Sequence, residues 1–469
     1  MDEHEKKLNE KHAPFAAKMR EAGMGEVAVA AFLRALDFLE GGGAGGIPES
    51  SIEPADDLPR HADLKAAGSA DLSRLVVIKL NGGLGTGMGL ERAKSLLPVR
   101  DGQTFLDLIA AQMEPRADRP APPRLLLMNS FSTSADTRRH LADRDWLGGP
   151  DRWEIMQNQV PKVLADTLLP ASHSSQPDLE WCPPGHGDIY TVLHEQKWLD
   201  RLLDEGIEYA FVSNSDNLGA SPDPALLQWF SETGATFLME VTRRTAADRK
   251  GGHLARRRSD DALILRESAQ CPAADEAAFQ DVSRHRFFNT NNLWLRLESL
   301  RDALRRHCGV LPLPVIRNRK TLDPRDPQSP LVFQLETAMG SAIECFSGSQ
   351  AIEVGRERFA PVKTTADLLV VRSDACITDD KGNVRLDSAR GGVPPDVDLD
   401  GRWFKFVDDF EKAFAADVPS LAECRSLKVE GPVRFAAGTR LAGDVVIRNE
   451  SETWRELPPG TYADGSFSV

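Results

Sequence analysis

The sequence predicts an α/β fold organised around a mostly parallel sheet, and three observations carry that prediction. From about residue 70 to 375, short apolar runs alternate with stretches whose apolar residues recur at helical spacing. The first strong run, Leu75-Val-Val-Ile78, leads straight into a glycine-rich loop. A later one, Phe211-Val-Ser-Asn-Ser-Asp216-Asn217, stops abruptly in polar side chains, as a strand does where the edge of an α/β sheet meets a ligand.

Taken in order, residues 1 to about 40 are predicted helical. Phe15, Met19, Met24, Val27, Phe32, Leu33 and Leu36 form a discontinuous apolar face there. The run Gly41-Gly-Gly-Ala-Gly-Gly46 then reads as a flexible connection. Strands are predicted at 75–80, 124–128, 209–213, 236–241 and 368–372. Thr104-Phe-Leu-Asp107 resembles a capping box opening a helix that carries Phe105, Leu108, Ile109 and Met113. A second helix is predicted over Gln334 to Phe346, where Leu335, Ala338, Met339, Ala342, Ile343 and Phe346 share one stripe. After the Gly/Pro/Asp-rich stretch 391–401, a short helix near 405–416 is predicted. Leu427 and Val433, and separately Phe435, Leu441 and Ile447, then recur every six residues. That period suits a hexapeptide β-helix coil, with a β-hairpin as the competing reading.

The composition sets bounds. A chain of 469 residues accommodates two or three domains. With 57 basic against 71 acidic residues, the net charge of -14 argues against nucleic acid as a partner. No apolar run approaches the ~20 residues of a membrane span. The polar start Met1-Asp-Glu-His-Glu-Lys-Lys lacks a signal-peptide hydrophobic segment. Cysteines at 182, 271, 308, 345, 376 and 424 never pair as Cys-x-x-Cys, so reduced thiols in a cytoplasmic protein are expected.

The loop running from Leu80 and Asn81 through Gly82, Gly83, Gly85, Gly87 and Gly89 to Lys94 suits nucleotide phosphates. Glycines let the main chain approach a ligand and aim N–H groups at it, and the lysine adds a mobile positive charge. It is not a P-loop, because Ala93 stands where that motif needs glycine before lysine. Nor does its spacing fit a dinucleotide fingerprint, and the next predicted strand ends in Asn129 without a carboxylate. Asp216, at the end of its strand, suits Mg²⁺, which takes its other ligands from phosphates and water. Pro183-Pro-Gly-His186-Gly fixes an imidazole between glycines, and Asn289-Thr-Asn-Asn292 clusters amides able to grip sugar hydroxyls. Lys363 follows a proline in Phe359-Ala-Pro-Val-Lys363. Each piece alone also fits a turn, a cap or a solvated lysine. No Ser-His-Asp arrangement or carboxylate pair competes with them.

These segments resemble the eukaryotic-type UTP–glucose-1-phosphate uridylyltransferases, or UDP-glucose pyrophosphorylases. The matching motifs run collinearly. They include Lys79-Leu-Asn-Gly-Gly-Leu-Gly-Thr86, Leu127-Met-Asn-Ser-Phe131, Asn158-Gln159, Pro183 to Tyr190, Phe211 to Gly219, Phe288 to Trp294, Lys320-Thr-Leu-Asp323, Gln334-Leu-Glu-Thr337 and Pro361-Val-Lys-Thr-Thr365. The resemblance implies a Rossmann-like, GT-A-type nucleotidyltransferase core with a mixed sheet flanked by helices, and a small C-terminal left-handed parallel β-helix. It implies an N-terminal helical segment over 1–60, a catalytic domain over 61–380 and a C-terminal segment over 381–469. It also implies roles: Leu80, Asn81, Gly82 and Gly83 cradling UTP, and Gln159 and Gly185 reading uracil. Lys94 and Lys363 would contact phosphates, His186, Asn214 and Asn291 would hold the sugar phosphate, and Asp216 would carry Mg²⁺. The implied reaction joins UTP and glucose 1-phosphate into UDP-glucose and pyrophosphate.

Departures from the family pattern are Ala93 in place of proline, a shortened Val160-Pro161-Lys162, a poorly matching stretch at 254–280 and a truncated β-helix. The rival readings are a pyrophosphorylase for other UDP-sugars or UDP-N-acetylglucosamine, and a catalytically silent nucleotide-sugar-binding protein. Gly87 and Met88 stand where the N-acetylglucosamine relatives usually place arginine, which favours glucose.

Overall fold

A computed structural model describes residues 3–41, 46–65, 70–117, 119, 121–245, 248–379 and 381–469, with side chains from residue 11. Most of the Gly41–Gly46 connection lies outside the described residues.

A ten-stranded sheet forms the centre. Leu75–Asn81, Arg124–Asn129, Glu154–Met156 and Tyr209–Asn214 run parallel. Their register pairs Asn214 with Leu80, Asn81 with Asn129, and Asn129 with Met156, so all four strands finish on one edge. The unbroken apolar run at 75–78 is explained by burial on both faces. Val77 joins one apolar layer while Val76 and Ile78 join the other.

Phe287–Arg296 runs antiparallel to both of its long neighbours, Tyr209–Asn214 and Phe237–Arg243. The sheet is therefore mixed rather than mostly parallel. Pairing with Phe237–Arg243 passes from Glu240↔Asn292 to Val241↔Asn289, so Thr290 and Asn291 stand out as a bulge.

Two predicted elements differ. The strand predicted at 368–372 is the end of helix Thr365–Arg372, opened by a complete capping box between Thr364 and Asp367. Leu368, Leu369 and Val371 are its buried face, so the apolar run served a helix. The helix predicted over 334–346 is instead strand Leu331–Thr337 followed by the 3-10 helix Met339–Cys345. Antiparallel pairing with Val315–Thr321 claims the first half, a tertiary partner that local periodicity does not reveal.

Other elements follow the sequence. Thr104 and Asp107 complete the capping box of helix Phe105–Met113. Helices Glu3–Glu21 and Glu26–Glu40 pack Phe15 on Phe32 with ring centroids 5.4 Å apart, over Val160, Val163 and Leu335. The short helix predicted near 405–416 is Val407–Ala413, preceded by the one-turn helix Gly401–Phe404. Beyond it, Asp396–Leu399, Ser420–Glu430, Arg440–Arg448 and Thr461–Ser468 pair in parallel, as do Val433–Phe435 and Arg455–Leu457. Parallel pairing excludes the hairpin alternative, and the six-residue repeat positions Leu427, Val433, Phe435, Leu441 and Ile447 are all buried. All six cysteines are free. Among the described residues no helix is long and apolar enough to cross a membrane.

Candidate active site

The site is built at the edge where the parallel strands end. Strand Leu75–Asn81 releases the glycine loop, which closes on itself when the Lys94 amide donates to the Gly83 carbonyl (3.1 Å). Ser130, following the neighbouring strand, pins the loop's start by donating through Oγ to the Gly82 carbonyl at 2.9 Å.

Lys94, Asp216 and Lys363 converge. Lys94 Nζ lies 2.6 Å from Asp216 Oδ2 and also donates to the Val362 carbonyl. Lys363 Nζ reaches the same Asp216 oxygen at 2.9 Å. Burial pushes the Asp216 carboxyl up, but the charges of Lys363 and Lys94 more than offset this and hold it below the usual carboxylate range. Lys94 is nearly buried, whereas Lys363 is 56% exposed.

Facing this cluster is the Gly-His-Gly turn. Gly185 sits at φ +82° with Thr337 so close that a Cβ would lie 2.5 Å from its carbonyl oxygen, so no side chain fits there. The amides of Gly187 and Thr337 donate to Thr337 and Pro184 carbonyls, locking the turn to strand Leu331–Thr337. His186 Nδ1 accepts from the Met339 amide at 3.0 Å, which fixes the tautomer and leaves the Nε2 proton to donate. Burial, then the nearby Lys363 charge, pulls the His186 pKa down to about 4, so the ring is neutral at physiological pH.

Asn291 stands on the bulge with φ 62°. Its amide accepts a 3.2 Å bond from Asn289 Nδ2, and its N–H donates to Asn289 Oδ1 at 2.9 Å. Asn214 ends its strand beside Leu80. Leu80 itself contributes main chain, its carbonyl accepting from the Ser215 amide at 3.2 Å. Asn81 belongs to the loop through its main chain. Its buried side chain donates to Asn129 Oδ1 (2.7 Å) and Thr137 Oγ1 (3.0 Å), so only its main chain faces a ligand.

Two residues were missed by the sequence reading. Gln157 spans the gap between loop and turn: its Nε2 donates to the Gly185 carbonyl at 2.9 Å, and its Oε1 lies 2.7 Å from where a Gly82 Cβ would sit, while Gln159 is half-buried two residues on. The following Asn158 turns inward, donating to Asp188. Lys79 is fully buried beneath the Asp216 turn, donating to Ser213 Oγ (2.8 Å) and the Ala220 carbonyl (2.5 Å). Burial and the neighbouring Arg358 lower its pKa to about 7.

The donor set fits a divalent ion only in part. Asp216 Oδ1 is buried without a hydrogen-bond partner, leaving one anionic oxygen available. Among the described residues no cluster of three His, Cys, Asp or Glu side chains could hold a metal alone. An ion here would take its remaining ligands from phosphates and water, the habit of Mg²⁺.

A glycine loop, two convergent lysines and one aspartate at the carboxyl edge of a mixed α/β sheet define the class: a nucleotidyltransferase. A family model described as UTP–glucose-1-phosphate uridylyltransferase matches residues 44–442, and the chain belongs to that family. The UTP–glucose-1-phosphate uridylyltransferase of Saccharomyces cerevisiae is 41% identical over 84% of this chain and 78% of its own length. Solved structures of UDP-glucose pyrophosphorylase from Leishmania major are 47% identical with a TM-score of 0.93, covering 98% of this chain and 99% of that one. One of them is a complex with UDP-glucose. UDP-glucose phosphorylase from Trypanosoma brucei is 46% identical with a TM-score of 0.91, covering 98% and 99%.

Proposed function

We propose that this enzyme converts UTP and glucose 1-phosphate into UDP-glucose and pyrophosphate, reversibly. The observation that carries the reading is the meeting of Lys94 and Lys363 on Asp216 Oδ2 beside the glycine loop.

A sugar-phosphate oxygen attacks the α-phosphorus of UTP, a new P–O bond forms, and the α–β anhydride bond breaks to release pyrophosphate. The attacking oxygen is already ionised at neutral pH, so no general base is required. Two anions must be brought together, so positioning and charge neutralisation dominate. Lys94 and Lys363 offset charge on the phosphates as the transition state forms. Main-chain amides from Leu80 to Gly83 support the triphosphate. Gln159 and Gly185 read the uracil, and Gln157, bonded to the Gly185 carbonyl, steadies that turn. His186 donates through Nε2 to the sugar phosphate, and Asn214 and Asn291 supply amides to its oxygens. Asp216 would hold Mg²⁺ through Oδ1, and the ion would supply neutralising charge to the phosphates.

We further propose that the protein is cytoplasmic, that its parallel C-terminal strands wind as a left-handed coil, and that the chain divides into 1–60, 61–380 and 381–469.

The test is a coupled pyrophosphate-release assay with UTP and a panel of sugar 1-phosphates, with and without Mg²⁺. Glucose 1-phosphate with Mg²⁺ should be the best pair. Preference for N-acetylglucosamine 1-phosphate would assign the rival substrate, and UTP binding without pyrophosphate release would assign a silent binding protein.

A further inference from the structure

Lys363 lies on an irregular segment, so something must hold its ammonium group on the aspartate. The turn after Asp216 does this along a continuous seam. Gly219 comes so close to the segment that a Cβ there would lie 2.2 Å from the Glu357 carbonyl oxygen. At the centre of the seam, the buried carboxamide of Asn217 makes a two-sided clamp. Its Nδ2 donates to the Arg358 carbonyl at 3.1 Å, and its Oδ1 accepts from the Ala360 amide at 3.1 Å. An antiparallel bridge joins Asn217 to Pro361, and the Val362 amide donates to the Asp216 carbonyl at 3.1 Å. Lys363 is the next residue.

The anchor behind the clamp is itself fixed. Arg358 is buried against the fully buried Glu240 in a bidentate pair, Nε to Oε2 at 2.8 Å and Nη2 to Oε1 at 2.7 Å. Arg358 therefore cannot drift; its carbonyl, held by the Asn217 and Asn292 carboxamides, sets the start of the lysine arm, and Asn217 alone also holds the Ala360 amide. A side chain with one donor and one acceptor meets both a C=O and an N–H of the same segment, which neither aspartate nor leucine does.

We infer that Asn217 is a positioning residue for the proposed reaction: it sets the main-chain path that places the Lys363 ammonium on the Asp216–phosphate site. It touches no substrate and acts through Lys363. The inference rests on the reading of Lys363 given above.

A double-mutant cycle on kcat separates the two. Lys363→Ala alone should lower kcat on the order of 10²–10³-fold, as for loss of one transition-state donor. Asn217→Ala should lower kcat by up to ~10²-fold through misplacement, with UTP affinity by calorimetry weakened no more than in Lys363→Ala. In the Lys363→Ala background, Asn217→Ala should cost nothing further. Multiplicative losses would make Asn217 a general structural residue and overturn the inference, as would normal kcat in Asn217→Ala. Near-normal kcat in Lys363→Ala would instead overturn the reading of Lys363, and the inference with it. Asn217→Asp covers the case in which the alanine variant does not fold. It keeps the acceptor for Ala360 but opposes an oxygen to the Arg358 carbonyl, so the same cycle applies and multiplicative losses in it overturn the inference equally.

Discussion

Lys94 and Asp216 meet at 2.6 Å although 122 residues separate them. The contact bridges two elements that leave the sheet at the same edge, one after Asn81 and the other after Asn214. Lys363, from a third segment, completes the cluster. Its function depends on three separate loops staying in register, and the following outcomes test that dependence.

Lys363 is the exposed member of the pair and is placed to follow charge as it develops. Lys363→Ala is expected to lower kcat on the order of 10²–10³-fold, the scale of removing one electrostatic donor. Steady-state kinetics with saturating UTP and glucose 1-phosphate reads this directly. Near-normal turnover removes Lys363 from the chemistry.

Asp216 offers one unpartnered buried oxygen. Asp216→Asn keeps the shape but removes the charge, so metal-dependent activity should be lost. A Mg²⁺ titration of initial rate checks this, and a curve superimposable on that of the parent enzyme counts against Asp216 as the metal-holding group.

Gln157 joins the glycine loop to the Gly-His-Gly turn. Gln157→Ala should raise KM for UTP roughly tenfold by loosening that turn, and Gln159→Ala by a similar factor through lost bonds to the base, about the effect of one or two lost hydrogen bonds. An unchanged KM in Gln159→Ala would remove it from base reading, and an unchanged KM in Gln157→Ala would show that the turn's support does not bear on UTP.

The stretch around 254–280, which the family pattern fits poorly, folds over a pair of buried histidines. His253 and His285 stack with centroids 3.8 Å apart. Burial and the neighbouring His285 hold the His253 pKa down to about 2. The folded protein therefore refuses a proton that the unfolded chain takes up near 6.5, so stability falls as pH drops below that value and continues falling toward about 2. Urea midpoints measured between pH 7 and 5 should decline in the parent protein and decline less in His253→Phe. Equal slopes would remove His253 from the acid response.

The sequence made the site's three charged members legible because each sits in a motif with its own chemistry: a glycine loop, a strand ending in Asp216, and a proline-led lysine. It did not reveal side-chain direction. Asn81 looks like a ligand group but points into the sheet at Asn129, since strand parity decides which face each residue takes. The bond that ties Gln157 to the turn at Gly185 joins two loops and is not written in either one. Likewise, Gln334 to Phe346 carries helical spacing, yet pairing with Val315–Thr321 draws its first half into a strand. The bulge presenting Asn291 arises from a register shift between two distant strands and has no local signature.

The most direct test of a shared triphosphate site is lysine footprinting by acylation and mass spectrometry, with and without saturating UTP. Lys363, 56% exposed, should become protected, while Lys412, 61% exposed on a helix of the C-terminal segment, should label equally in both states. Unchanged labelling of Lys363 in the presence of bound UTP would contradict the account.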